Sequence, residues 1–200
     1  MANSDARIGL KPVGTDGTGG YNGRKTAYFV PSTYGTALYV GDPVVATGTS
    51  NTAAAGEGNQ FAAGTLQEIN KCTAGAGNRI LGAVVGFEVD PDNLDKSYNP
   101  ASTERVVYVA DDPKQLFEVQ ADSGAAVAAT DIGTNADVIF THAGDTATGL
   151  SGVELDTADM SVAATGQLTI EGLVKRPDNA LGTNAKLLVK INYHQKAVGV

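Results

Sequence analysis

The 200-residue sequence predicts an all-β fold: a single β-sandwich or β-barrel domain with an extended N-terminal arm and long Gly/Ala-rich loops. Three observations carry this expectation. Apolar runs are short and separated by clusters of Gly, Pro, Asn and Asp, the punctuation of strands and turns. Leu187, Val189, Ile191 and Tyr193 alternate with Leu188, Lys190, Asn192 and His194, the two-residue period of a strand. No window holds a sustained helical period of apolar residues.

Taken in order, residues 1–27 are Gly-rich and polar. Gly14, Gly17, Gly19, Gly20 and Gly23 make this stretch costly to order by itself. It reads as an arm that becomes fixed on a partner, with Ile8, Leu10, Pro12 and Val13 as its apolar anchors. Residues 28–200 form the β-rich domain. Strands are expected near residues 27–30, 37–40 and 44–46, with turns at Pro31-Ser32-Thr33-Tyr34-Gly35 and Gly41-Asp42-Pro43. Residues 47–64 are dominated by Gly, Ala, Ser, Thr and Asn and read as a long loop, followed by a short strand at 65–70.

Residues 79–89 carry a firm β signal, and Gly82 and Gly86 within them mark a bulge, a bend or a close backbone approach. Residues 105–110 and 115–121, joined by Asp111-Asp112-Pro113-Lys114, look like a hairpin. In its second strand Phe117, Val119 and Ala121 face one side, and Glu118 and Gln120 the other, which implies one buried and one wet face. Residues 122–159 are mostly loop, including the long loop at 122–148, with weak strands of which 137–141 is the clearest. Strands at 167–175 and 186–194 close the chain, and a slip by one residue in the last would expose its whole apolar set.

Composition narrows the function classes. Net charge is −8, with 14 basic against 22 acidic residues and no basic run. Duplex-binding surfaces gain affinity by neutralising phosphates with Lys and Arg, so neither nucleic acid nor an anionic membrane is expected as a partner. Cys72 is the single cysteine, which leaves no disulfide framework and no Cys-based zinc site. The start lacks the apolar core of a signal peptide, and no run approaches the roughly 18 apolar residues of a membrane span. These features predict a soluble protein and are compatible with synthesis in a reducing cytosol.

Candidate chemistry mostly dissolves on inspection, and no catalytic, cofactor-binding or metal-ligating residue is expected. Gly149-Leu150-Ser151-Gly152 lacks the spacing and strand-to-helix setting of a nucleophile elbow. Gly23-Arg24-Lys25-Thr26 places Arg24 where a phosphate loop needs Lys directly after Gly. Asp90, Asp92 and Asp95 gather oxygens but lack the calcium-loop spacing, so a solvated turn is the simpler reading. His142 and His194 stand far apart in sequence, and Cys72 has only Lys71 beside it to lower its pKa. Without tryptophan, a sugar-stacking platform would depend on Tyr21, Tyr28, Tyr34, Tyr39 and Tyr98, for which strand packing is the commoner use.

Ordered blocks along the chain carry a resemblance. Asn3-Ser4-Asp5 and Gly9-Leu10-Lys11-Pro12-Val13 open it, followed by Tyr34-Gly35-Thr36-Ala37 and Gly41-Asp42-Pro43-Val44-Val45. Ile80-Leu81-Gly82-Ala83-Val84-Val85-Gly86-Phe87, Val109-Ala110-Asp111-Asp112-Pro113 and Phe117-Glu118-Val119-Gln120 continue it. Gly149-Leu150-Ser151-Gly152-Val153-Glu154-Leu155, Gly172-Leu173-Val174-Lys175-Arg176-Pro177-Asp178-Asn179 and Asn184-Ala185-Lys186-Leu187-Leu188-Val189-Lys190-Ile191-Asn192 complete it. Together they resemble a family of tailed-bacteriophage structural proteins. That resemblance implies a non-enzymatic virion component, a capsid decoration (cement) protein that binds the major capsid protein and stabilises the head. It further implies a homotrimer on the outer capsid surface, made in the host cytoplasm, with an arm lent to neighbouring capsid subunits. A head–tail connector or tail protein is the structural alternative, and a receptor- or glycan-binding module of the virion surface is the alternative from another class.

Overall fold

Two strand systems divide the chain, which is described here by a computed structural model over residues 3–17, 19–91 and 93–197. The fold is all-β, as the alternation and turn chemistry predict. Among the described residues the helical turns are short 3-10 segments at Glu57–Asn59, Ala129–Asp131 and Thr157–Asp159. No helix among them is long and apolar enough to cross a membrane.

The first system is a closed barrel. It comprises β3 (Thr26–Val30), β4 (Pro43–Ser50), β5 (Gln67–Lys71), β6 (Gly82–Phe87) and β7 (Arg105–Ala110), in the order β3-β5-β4-β6-β7. All neighbours are antiparallel except β3 and β5. Its interior is filled by Tyr28, Val30, Leu38, Val44, Ile69, Leu81, Val84, Val107 and Val109. Most of these are the β-branched and aromatic residues that strands favour, each large one contributing roughly 1.5–3 kcal/mol when fully buried. Both glycines of β6 have the meanings expected of them. The register shifts between Val84 and Gly86, and a Cβ on Gly82 would lie 2.2 Å from the Ala110 carbonyl oxygen.

The second system is an open sheet that combines the two ends of the chain. It contains β1 (Lys11–Thr15), β2 (Gly19–Gly20), β8 (Gln115–Gln120), β9 (Asn135–Ala136), β12 (Leu168–Leu173) and β13 (Lys186–Ile191), in the order β2-β1-β8-β13-β12-β9. A two-stranded ribbon of β10 (Val138–Ile139) and β11 (Glu154–Leu155) packs against it. Phe117, Val119, Leu168, Ile170, Leu187 and Val189 form the centre of this larger core, all fully buried.

Several expectations are corrected. Lys11–Thr15 are not part of a separate arm: β1 pairs with β8, with Pro12 opposite Phe117 and Gly14 opposite Leu116. The cost of ordering the glycines is offset by ladder hydrogen bonds within the same chain. Residues 105–110 and 115–120 do not form a hairpin, because β7 closes the barrel and β8 enters the sheet. The Asp111 carboxylate accepts from Tyr28 Oη at 2.7 Å and from Thr26 Oγ1 at 2.9 Å, which ties the end of β7 to β3. Pro113, lacking an N–H, then turns the chain away.

Residues 37–40 make only isolated bridges, Leu38 to Asn99 and Val40 to Leu150. Thr47–Ser50, expected as loop, extend β4 instead, after a register shift that follows Ala46. The last strand ends at Ile191, and His194 rather than Tyr193 is the buried residue beyond it.

Candidate functional site

Where barrel and sheet meet, the chain leaves an apolar cleft of about 450 Å³. Ile8, Leu10 and Pro12 line it on the N-terminal side, joined by Tyr21. Val84 and Val85 of β6 line it from the barrel, and Val40 and Leu150 complete the apolar lining. Leu10 is fully buried in the sheet's core and forms a wall of the cleft, so it is unavailable as a free anchor. Ile8 and Pro12 are half-buried. Val13 is half-buried too, but lies outside the cleft lining; its carbonyl accepts from Tyr21 N at 3.1 Å.

The cleft is built on a crossing of two glycines. Leu10 N donates to Gly41 O at 2.9 Å, and Gly41 N donates to Val84 O at 2.8 Å. Gly9 and Gly41 have φ of +62° and +92°, and a Cβ on Gly9 would lie 2.8 Å from Gly41 Cα. Both the left-handed backbone and the close approach require glycine here.

Beneath this crossing lies a buried polar node. Asp42, fully buried, accepts from Ser151 Oγ at 2.6 Å and from Tyr39 N at 2.8 Å, and pairs with Lys71 Nζ at 2.9 Å. These partners satisfy a carboxylate that would otherwise be very costly to bury. Ser151 is itself fully buried and also accepts from Val153 N at 3.1 Å. Its hydroxyl is therefore committed to Asp42, not to a histidine, and does not form a nucleophile–base pair.

The other residues singled out by the sequence have structural settings. Arg24 pairs with Asp112 at 3.3 Å, and Lys25 lies 4.0 Å over the Tyr108 ring, so the phosphate-loop-like basic residues face neighbouring side chains. Burial pushes the Cys72 thiol up to about 12, which keeps it an inert core residue. Asp92 lies outside the described residues. Among the described residues no group of three or more His, Cys, Asp or Glu is placed to hold a metal ion. Tyr39 and Tyr98 stack on each other at 5.0 Å between ring centroids.

No family model, curated protein or solved structure matches the chain.

A second polar cluster lies on the face of the sheet expected to be wet. Glu118 and Gln120 are buried, because the N-terminal segment and Arg176 cover them. Gln120 Nε2 donates to Asp5 Oδ1 at 2.7 Å and to Glu154 Oε1 at 2.6 Å, while its Oε1 accepts from Ala6 N at 2.8 Å. His142 Nδ1 lies 2.9 Å from Glu154 Oε2. Sequence reasoning missed this cluster, as it missed Val85 and Leu150, because nothing in local alternation reveals which segment will lie on top of a strand. A buried glutamine at a polar-face position was the available signal, visible only once the strands had been paired.

Proposed function

We propose that this chain is a non-enzymatic decoration (cement) protein of a tailed-phage head. In this reading it is made in the host cytoplasm, assembles as a homotrimer and binds the major capsid protein on the outer capsid surface, stabilising the mature shell. The observation that carries the reading is the ordered run of blocks from Gly9 to Asn192, which covers both the barrel and the sheet. Two further features support it. The apolar cleft beside Ile8 and Pro12 offers a partially open anchor site of the kind that partner side chains fill. An acidic chain of net charge −8 avoids adhering to packaged DNA.

Decoration also suits modest individual contacts, since attachment at many points along a shell multiplies weak affinity. The contact assigned to the capsid protein is the cleft, with the half-buried Ile8, Pro12 and Val85 as its walls.

The test is co-sedimentation of the purified protein with purified undecorated heads. The expected result is saturable binding at a copy number comparable to that of the major capsid protein, with a higher temperature of head disruption. Absence of binding would remove the proposal. Saturation at a small ring of copies would identify a connector or tail component instead.

A further inference from the structure

The segment Asn3–Ala6 lies on the molecule in an unusual way: no residue of it is buried, yet Ser4, Asp5 and Ala6 are each held by a buried polar side chain and Asn3 by backbone groups of an exposed loop. Asn3 Nδ2 donates to Ala180 O at 2.9 Å and to Thr183 O at 2.8 Å, and Asn3 Oδ1 accepts from Ala180 N at 2.9 Å. The Ser4 carbonyl accepts from Lys186 Nζ. Asp5 and Ala6 share the two ends of the Gln120 amide, and Glu154 braces that amide from the far side. Gln120 is fully buried, and Lys186 and Glu154 are each 5% exposed. Lys186 and Gln120 stand opposite each other across β13 and β8, so both reach up from one face of the sheet.

These contacts read sequence as well as holding backbone. The paired donor and acceptor on Asn3 fit an asparagine side chain against a peptide group. The Gln120 amide presents its donor end to a carboxylate and its acceptor end to the next backbone N–H. No residue from Asn3 to Arg7 is buried, so the segment has no apolar anchor of its own before Ile8. Segments that bury no apolar side chain of their own open at low cost relative to a core.

We propose that the cradle formed by Gln120, Lys186, Glu154 and the 180–183 loop is a reversible peptide-binding site. Its ligand is a short extended peptide with asparagine followed two residues later by aspartate. The occupant is the Asn3–Ala6 segment, held within its own chain at rest and accepted equally from a second copy. This inference does not depend on the capsid reading.

The chain's own segment competes for the site, so weakening it raises the apparent affinity for an added peptide. The probe is a fluorescent peptide of residues 3–8, titrated into full-length protein and read by anisotropy. Full-length protein carrying Asn3→Ala and Asp5→Ala is expected to bind this peptide at least about tenfold more tightly than the unaltered protein. Peptides carrying Asn3→Ala or Asp5→Ala are each expected to bind the weakened protein about fivefold or more less tightly. Because these last changes are in the peptide, the folding of the protein does not enter the comparison. Equal binding by the altered and unaltered proteins, or equal binding of all three peptides, would overturn the proposal.

Discussion

In the barrel every strand has a strand on either side, and the core beneath them is enclosed by the ring itself. The sheet is built differently. It ends on β2, whose two glycines are exposed, and on β9, whose Asn135 exchanges backbone hydrogen bonds with Ser161 at 2.7 and 2.9 Å. Its inner face rests on the larger core, but its outer face is covered by the N-terminal segment and Arg176 rather than by another layer. The barrel thus protects its edges by closure, whereas the sheet relies on very short edges and on irregular segments laid across it. The sheet is consequently the half with surfaces that other segments can enter, and both candidate sites border it.

The largest expected effect tests the sheet's dependence on its core. Phe117 is fully buried at the centre of that core, and Phe117→Ala should destabilise the protein by about 3–5 kcal/mol in denaturant unfolding. The two halves share Leu10, Gly41 and the Asp42 node, so this loss should appear as a shift of one cooperative transition. Two resolved transitions, with the barrel unchanged, would show that the halves fold independently.

A pair of buried carboxylates sharpens the comparison by pH. Asp111 at the barrel's end is pushed up by burial, but hydrogen bonds from Lys196, Tyr28 and Thr26 outweigh this and hold it below the usual carboxylate range. Its depressed pKa contributes stability that is present above the unfolded value and lost as pH falls through the folded one. Asp111→Asn should therefore lower Tm at pH 7, with the loss shrinking in acid. Asp137, in the sheet half, is pushed up to about 6, chiefly by burial and further by Asp159, although the Gln167 N–H opposes the shift. A raised carboxylate pKa contributes stability below the unfolded value that disappears as pH rises through the folded one. Asp137→Asn should accordingly raise Tm at pH 7 and leave it nearly unchanged near pH 3.5. Thermal melts of both variants at the two pH values check the opposite signs.

The smallest expected effect lies in the N-terminal segment. Asn3→Ala removes three hydrogen bonds from an exposed strap and should cost about 1 kcal/mol or less globally. Its signature is local: the Ala6 amide, bound to Gln120, should lose hydrogen-exchange protection while amides of β8 keep theirs.

Much of the fold was legible in the sequence because it rests on local rules. The alternation of Leu187, Val189 and Ile191 specified a half-buried strand, and Gly82 and Gly86 announced a close approach and a register shift. What was illegible depended on distant pairing. Residues 105–120 have the composition of a hairpin, and only the partners of Asp111 reveal that β7 and β8 separate. The same limit applies to the sites. Ile8, Leu10 and Pro12 were identifiable as isolated apolar residues in a Gly-rich stretch, but whether they project or pack is decided by Gly41, Val84 and Phe117. Gln120 looked like a solvent-facing residue because the strap that covers it lies more than a hundred positions earlier.

The central claim, that the cleft at the seam is where this protein meets a capsid, is tested most directly by cryo-EM of heads decorated with it. The account expects side-chain density from the major capsid protein between Pro12 and Val85, with the cleft facing the shell. A cleft open to solvent, on a subunit attached through another face, would contradict it.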